Sequence, residues 1–108
     1  MHGTSDGLGQ FAEPWLLVLT SLSDGPKHGY AIIADVAAFS GVRMEPGTLY
    51  RALSRLERRG WVRPLATDER RRPYEITAAG QEILAGQVTP MQQIVQVARL
   101  RIAMAQGA

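Results

Sequence analysis

The chain has 108 residues, enough for one domain and too few for two. It contains no cysteine, which excludes a disulfide scaffold, a thiolate zinc site and a cysteine nucleophile and fits a cytoplasmic location. The net charge of +2 conceals an asymmetry: nine basic residues against four acids give the stretch from Arg43 to Arg72 a charge of +5, and the remainder carries −3. One basic surface on an otherwise slightly acidic chain points to a polyanionic partner, against the simpler reading of a solvated face.

Residues 1–10 hold three glycines and no periodicity, and read as a mobile N-terminal tail. Phe11 to Leu22 is apolar almost all round, so a first helix there must be covered on several sides, with Pro14 tolerated in its first turn. Its apolar run is far below the roughly 20 residues of a membrane span, and no signal peptide is visible. Asp24-Gly25-Pro26 ends it. A second helix is expected from Pro26–His28 to Ala38 or Phe39, burying Tyr30, Ile33 and Ala37 with Ile32 and Val36 beside them, and stopped by Ser40-Gly41. Val42–Glu45 is extended, because the residue before Pro46 is pushed out of the helical region.

Pro46-Gly47-Thr48 opens a third helix that Gly60 caps. Arg51, Arg55 and Arg58 are spaced four and then three apart, and Leu49, Leu53 and Leu56 repeat the spacing two residues earlier. At about 100° per residue the two triplets fall on opposite faces, one dry and one cationic. Trp61–Thr67 has strand character with Pro64 marking an edge, Asp68–Pro73 forms the turn, and Tyr74–Thr77 alternates as a half-buried strand does. A basic helix beside a basic hairpin is the winged helix-turn-helix arrangement. The expected fold class is therefore mainly α with a small β-hairpin: a winged helix-turn-helix domain over residues 11–77 and a C-terminal dimerisation helix over 78–108.

Thr77 caps that last helix. Leu84, Val88, Met91, Val95, Ala98 and Ile102 follow alternating steps of four and three, the spacing of a coiled-coil seam that continues to Ala105. Ile83, Ile94, Val97 and Met104, with Leu100 nearby, form a second apolar line. One small domain cannot cover both along roughly 40 Å of helix, so a second copy of the chain is expected to cover the surplus. Thr89-Pro90-Met91-Gln92 also reads as a capping box, so the helix either breaks near Thr89 or continues with a kink at Pro90; the unbroken seam favours the kink.

At His28-Gly29-Tyr30, Pro46-Gly47-Thr48-Leu49-Tyr50, Leu53-Ser54-Arg55-Leu56-Glu57, Gly60 and Tyr74-Glu75-Ile76-Thr77-Ala78-Ala79-Gly80, the chain resembles the PadR family of transcriptional regulators. The resemblance covers roughly residues 15–84 by motif and the rest by layout, and its short C-terminal helix is similar to the family's small subfamily. It implies an effector-responsive repressor acting as a homodimer, which releases double-stranded DNA when the effector binds. The compact wing and Pro90 depart from the family pattern.

A recognition helix presents its N-terminal side chains to base edges, which here are Thr48, Tyr50, Arg51, Ser54 and Arg55; Arg55 and Arg51 can each donate two hydrogen bonds to guanine. Arg58 and Arg59 lie near the helix end and suit phosphate. Tyr50 sits between the faces and either packs or meets a phosphate. Lys27, His28 and Tyr30, at the second helix's start, read as phosphate contacts, with a surface role for His28 and a core role for Tyr30 as alternatives. Arg70, Arg71 and Arg72 at the wing tip suit an adjacent minor groove. Two copies should place their helices about 34 Å apart on an inverted repeat. Trp15 and the last helix could border an apolar cavity at the dimer interface, where members of the small subfamily take aromatic or drug-like ligands; Trp15 as plain core is the alternative. Metal sensing is weaker, since His2 and His28 lack paired spacing and Asp24 with His28 is one pair only. No catalytic or metal-ligating residue and no cofactor is assigned. The rival functions are a winged-helix protein-interaction module without DNA binding, and an enzyme, for which no acid/base constellation is visible.

Overall fold

The computed structural model describes residues 12–67 and 70–107; the tail, Phe11 at the expected start of the first helix, Asp68 and Glu69 in the turn, and Ala108 lie outside the described residues. Among the described residues the elements are α1 (Pro14–Leu22), α2 (Gly29–Ser40), α3 (Pro46–Arg58), β1 (Val62–Pro64), β2 (Tyr74–Ile76) and α4 (Ala78–Gly107). Helices with one antiparallel hairpin make up the expected class.

Glu13 is extended and Pro14 takes the first helical position, where its missing N–H would have had no partner. Leu17, Val18, Leu19 and Leu22 of α1 are buried, and the helix packs against α2, α3, α4 and β2, the cover its all-round apolarity requires.

The second helix starts later than expected. Lys27 pairs with Tyr74 as a strand does, donating its N–H to the Tyr74 carbonyl (3.1 Å) and accepting the Tyr74 N–H (2.9 Å), so the helix cannot begin before Gly29. That shift of phase turns Gly29, Ile32 and Val36 inward. Tyr30, expected in the buried stripe, faces outward at 66% exposure, and Ile33 and Ala37 are half-buried.

α3 buries Leu49, Ala52, Leu53 and Leu56. Its end is a Schellman turn: Trp61 N–H donates to the Leu56 carbonyl (2.9 Å) and Gly60 N–H to that of Glu57 (3.0 Å). Gly60 has φ +77°, which a side chain would make costly.

The hairpin is shorter than the expected strands, with Val62 opposite Ile76, Arg63 opposite Glu75 and Pro64 opposite Tyr74. β2 lies between β1 and Lys27, which leaves Pro64 on the outer strand, where a missing N–H is harmless.

Thr77 joins three elements. Its hydroxyl donates to the Gly60 carbonyl (2.6 Å) and accepts the Gly80 N–H (3.1 Å), capping α4. Gly80 then lies so close to β1 that an added Cβ would collide with the Trp61 carbonyl oxygen and stand 2.7 Å from Ile76 Cγ1. Leu84 is the last residue of α4 in the core, at 8% exposure, which removes it from the expected dimer seam. From Ala85 to Gly107 every residue is exposed. The helix passes through Pro90 without a break, and the Thr89 hydroxyl donates back to the Ala85 carbonyl (3.2 Å) instead of capping a new helix. The projecting helix stretches the protomer to 61 × 30 × 19 Å.

Candidate nucleic-acid interface

The burial of one leucine face of α3 dictates what the other face does. Arg51, Ser54, Arg55 and Arg58 project from the body, while Thr48 is half-buried and accepts a hydrogen bond from Arg51 Nη2 at 3.3 Å. Ion pairs among the described residues link Lys27 to Asp24 and Asp35, and Arg63 to Glu75. The guanidinium groups of Arg51, Arg55 and Arg58 take part in none of them. A row of cations left without carboxylates on one helical face produces a local positive field.

Tyr50 both packs and projects. It is half-exposed, yet its ring end rests on Gly29, where any Cβ would meet the hydroxyl and Cζ. Gly29 thus lets α3 approach the start of α2 and brings the Tyr50 hydroxyl beside the free N–H groups of that helix. His28 is the N-cap residue of α2, half-buried, with a buried Nδ1 that has no hydrogen-bond partner among the described residues.

Lys27 departs from the expectation of a phosphate contact. Its ammonium donates to the Ser21 carbonyl and to Asp24 Oδ1, and Asp35 lies 4.0 Å away. Only 19% of the side chain is exposed, so this cation clamps the α1–α2 turn and is not offered outward. Beside it, the Lys27 ammonium lowers the Asp24 carboxyl below its usual value. Asp24 is thereby taken by Lys27, and no group of three potential metal ligands exists among the described residues.

At the wing, Arg70, Arg71 and Arg72 are exposed. The Arg71 guanidinium lies over the Tyr30 ring at 5.3 Å, which ties the wing to the start of α2. Tyr74, which the sequence did not mark as a site residue, stands at this junction. Desolvation raises its phenol above the usual range, with Glu57 and Tyr50 adding to the effect and Arg72 opposing it.

A cleft of about 710 Å³ runs beside the arginine face, and its opposite wall is Glu13, Pro14 and Trp15. Trp15 lines this cleft within one chain. It meets Trp61 at 5.9 Å between ring centres and 50° between planes, around a second hollow of about 110 Å³ that also touches Arg55 and Arg59. The Arg59 guanidinium lies 5.2 Å from the Trp61 ring centre. The sequence carried no sign of this wall, because Glu13 and Arg55 are distant in the chain.

The seam residues Val88, Met91, Val95, Ala98 and Ile102 all lie on the projecting part of α4. Together with Ile94, Val97, Leu100 and Met104, the large side chains there are 46–68% exposed. A contiguous apolar strip of this kind marks an interaction surface. No helix among the described residues is long and apolar enough to cross a membrane.

Solved structures share this fold. A PadR family transcription regulator from hypervirulent Clostridium difficile superposes with a TM-score of 0.73 at 23% identity, over 84% of this chain and 99% of that one. A transcriptional regulator from Clostridium thermocellum gives 0.70 at 22% identity, over 92% and 96%. One from Thermoplasma acidophilum, described as a putative transcriptional regulator, gives 0.64 at 25% identity, over 96% and 95%. In sequence, the chain is 48% identical over 79 residues, 73% of its length, to a 37.1 kDa protein of transposon TN4556 from Streptomyces fradiae, of which it spans 23%. The sequence profile of the Transcriptional regulator PadR-like family matches residues 18–86, well over half of the chain. The chain therefore belongs to the PadR-like family, a family of transcription regulators and not of enzymes.

Proposed function

We propose that this protein is a sequence-specific DNA-binding repressor that acts as a homodimer on an inverted repeat and releases DNA when a small molecule binds. The observation that carries the reading is the row of Arg51, Arg55 and Arg58 on the outward face of α3, without carboxylate partners among the described residues. Such a helix suits the major groove: Thr48, Arg51, Ser54 and Arg55 meet base edges, and Tyr50 and Arg58 meet phosphates. Arg70 and Arg72, with Arg71 held on Tyr30, flank the adjoining minor groove. The apolar strip of α4 supports pairing of two copies, and the pairing supplies the two half-sites. Family membership supports regulation of transcription as the purpose of the binding.

The test is selection of duplexes from a random pool, followed by binding measurements between about 50 and 200 mM salt. The reading requires a selected sequence with inverted symmetry, one protein dimer per duplex, and a steep fall of affinity with salt. Recovery of no preferred sequence, with binding no tighter than to random duplex, refutes it.

A further inference from the structure

We infer that Tyr30 is a positioning residue for the wing: its ring holds the Arg71 guanidinium in the attitude that reads a narrow, A·T-type minor groove beside α3. The inference rests on the DNA-binding reading above for its consequence, but on separate observations for the contact. Arg71 lies over the Tyr30 ring at 5.3 Å, and no carboxylate pairs with it among the described residues. Tyr30 is 66% exposed, so its ring is not held outward by core packing. It stands there because the Lys27–Tyr74 bridge delays the start of α2 and turns the residue to the surface. That bridge ties the base of the wing to α2, and the contact between Tyr30 and Arg71 ties its tip. Beyond the hydrogen bond from the Leu65 N–H to the Pro73 carbonyl (2.8 Å), Arg70, Arg71 and Arg72 belong to the loop. Of the three, Arg71 alone rests on a ring among the described residues.

Stacking uses the face of a planar guanidinium and leaves its N–H donors free around the edge. Tyr30 therefore aims Arg71 without consuming the hydrogen bonds it offers. A narrow minor groove concentrates negative potential and attracts arginine, whereas the guanine amino group occupies the floor of a G·C pair. An arginine on an unsupported loop loses its rotamer freedom on entering the groove, and one already resting on a ring has given up part of it beforehand. The ring carries this role and the hydroxyl does not, which separates it from a direct bond of Tyr30 to a phosphate. A cation–π contact at an exposed site corresponds to about twofold to fivefold in affinity, hence about fivefold to thirtyfold across the two wings of a dimer.

The test uses the full-length protein, free and with selected duplexes whose flanks beside the half-sites carry A·T, G·C or I·C pairs. Inosine lacks the guanine amino group, so I·C matches A·T in the minor groove and G·C in the major. The parent protein should bind A·T and I·C flanks alike, and G·C flanks more weakly. Tyr30→Leu should lower affinity for A·T flanks by about fivefold to thirtyfold and leave that for G·C flanks within twofold. Tyr30→Phe, which keeps the ring, should keep the preference. In an Arg71→Ala background, Tyr30→Leu should have no further effect, because Tyr30 acts through Arg71. In the free protein, the Arg71 side-chain proton resonances should carry a ring-current shift that Tyr30→Leu removes and Tyr30→Phe preserves. Melting curves check the folds; if Tyr30→Leu does not fold, Arg71→Ala decides by levelling A·T and G·C flanks, with Tyr30→Phe as the control. Unmoved Arg71 resonances, an unchanged preference in Tyr30→Leu, or I·C flanks that behave as G·C overturns the positioning role while the DNA reading stands. An equal loss in Tyr30→Phe and Tyr30→Leu assigns the effect to the hydroxyl and overturns it too. A protein that shows the ring-current shift but prefers no duplex refutes the DNA reading, and the role of Tyr30 with it.

Discussion

Replacing Arg55 separates base reading from charge attraction. Arg55 projects from α3 about two and a half turns after Pro46, beside Ser54 and one turn from Arg51, and its side chain supports nothing in the core. A fork of two hydrogen bonds to a guanine edge contributes about 1–3 kcal/mol of discrimination. A dimer contains two such forks, so Arg55→Ala should lose about 2–6 kcal/mol on the selected duplex, a fall of about 30-fold to about 20 000-fold. Arg55→Lys keeps the charge but loses the planar fork, so it should lose specificity while keeping the salt dependence of binding. Arg58→Ala should weaken selected and random duplexes alike and reduce the salt slope by about 2 per dimer, for two phosphates no longer neutralised. Fluorescence anisotropy with selected and random duplexes at several salt concentrations measures all three, and melting curves check that the folds are intact. If Arg55→Lys retains the parent's ratio of selected to random affinity, Arg55 does not read a base and the assignment of the reading face is wrong.

Val95→Glu, which sets a charge in the strip of α4, should give monomers in sedimentation velocity, and an unchanged dimer would move the interface elsewhere. Gly80→Ala should cost about 1–3 kcal/mol, because its Cβ collides with the backbone carbonyl of Trp61. Gly86→Ala, where a Cβ meets nothing within 4 Å, should instead stabilise the helix by up to about 1 kcal/mol; thermal melts that rank the two the other way contradict the packing described. Burial raises the Tyr74 phenol above its reference value of 10.0. The stability gained by keeping that phenol neutral is complete below pH 10.0 and is lost as pH rises through the folded value. Tyr74→Phe should therefore flatten the alkaline decline of the melting temperature, and an unaltered decline would assign it to other groups.

What could be read from the chain was what repeats locally. The arginine and leucine triplets of α3 fix its two faces by period alone, and Gly60 and Thr77 act through partners within a turn or across a short hairpin. Lys27 was not readable in this way. Its N–H and carbonyl pair with Tyr74 and its ammonium with Ser21 and Asp24, and the strand partner becomes a neighbour only after the chain has folded back. That one long-range bridge displaced the start of α2 and turned Tyr30 outward. Leu84 shows a different ambiguity: steps of three and four serve equally for anchoring a helix to its own core and for pairing it with another, and burial alone distinguishes them. The cleft opposite Arg55 was hidden because its walls belong to segments of unrelated local pattern.

The stretch of α4 beyond Leu84 is a rod about 34 Å long, from Ala85 to Gly107, fastened to its globular head at one end. A rod so mounted is a mechanical amplifier. Tilting it by about 6° where it joins the head sweeps its far end sideways by about 3.4 Å, the height of a single base-pair step. When two such rods are fastened together, the separation of the heads becomes a stiff function of that angle, and insertion or removal of one base pair at the centre of an operator is resisted by the backbone of a helix far from any nucleotide.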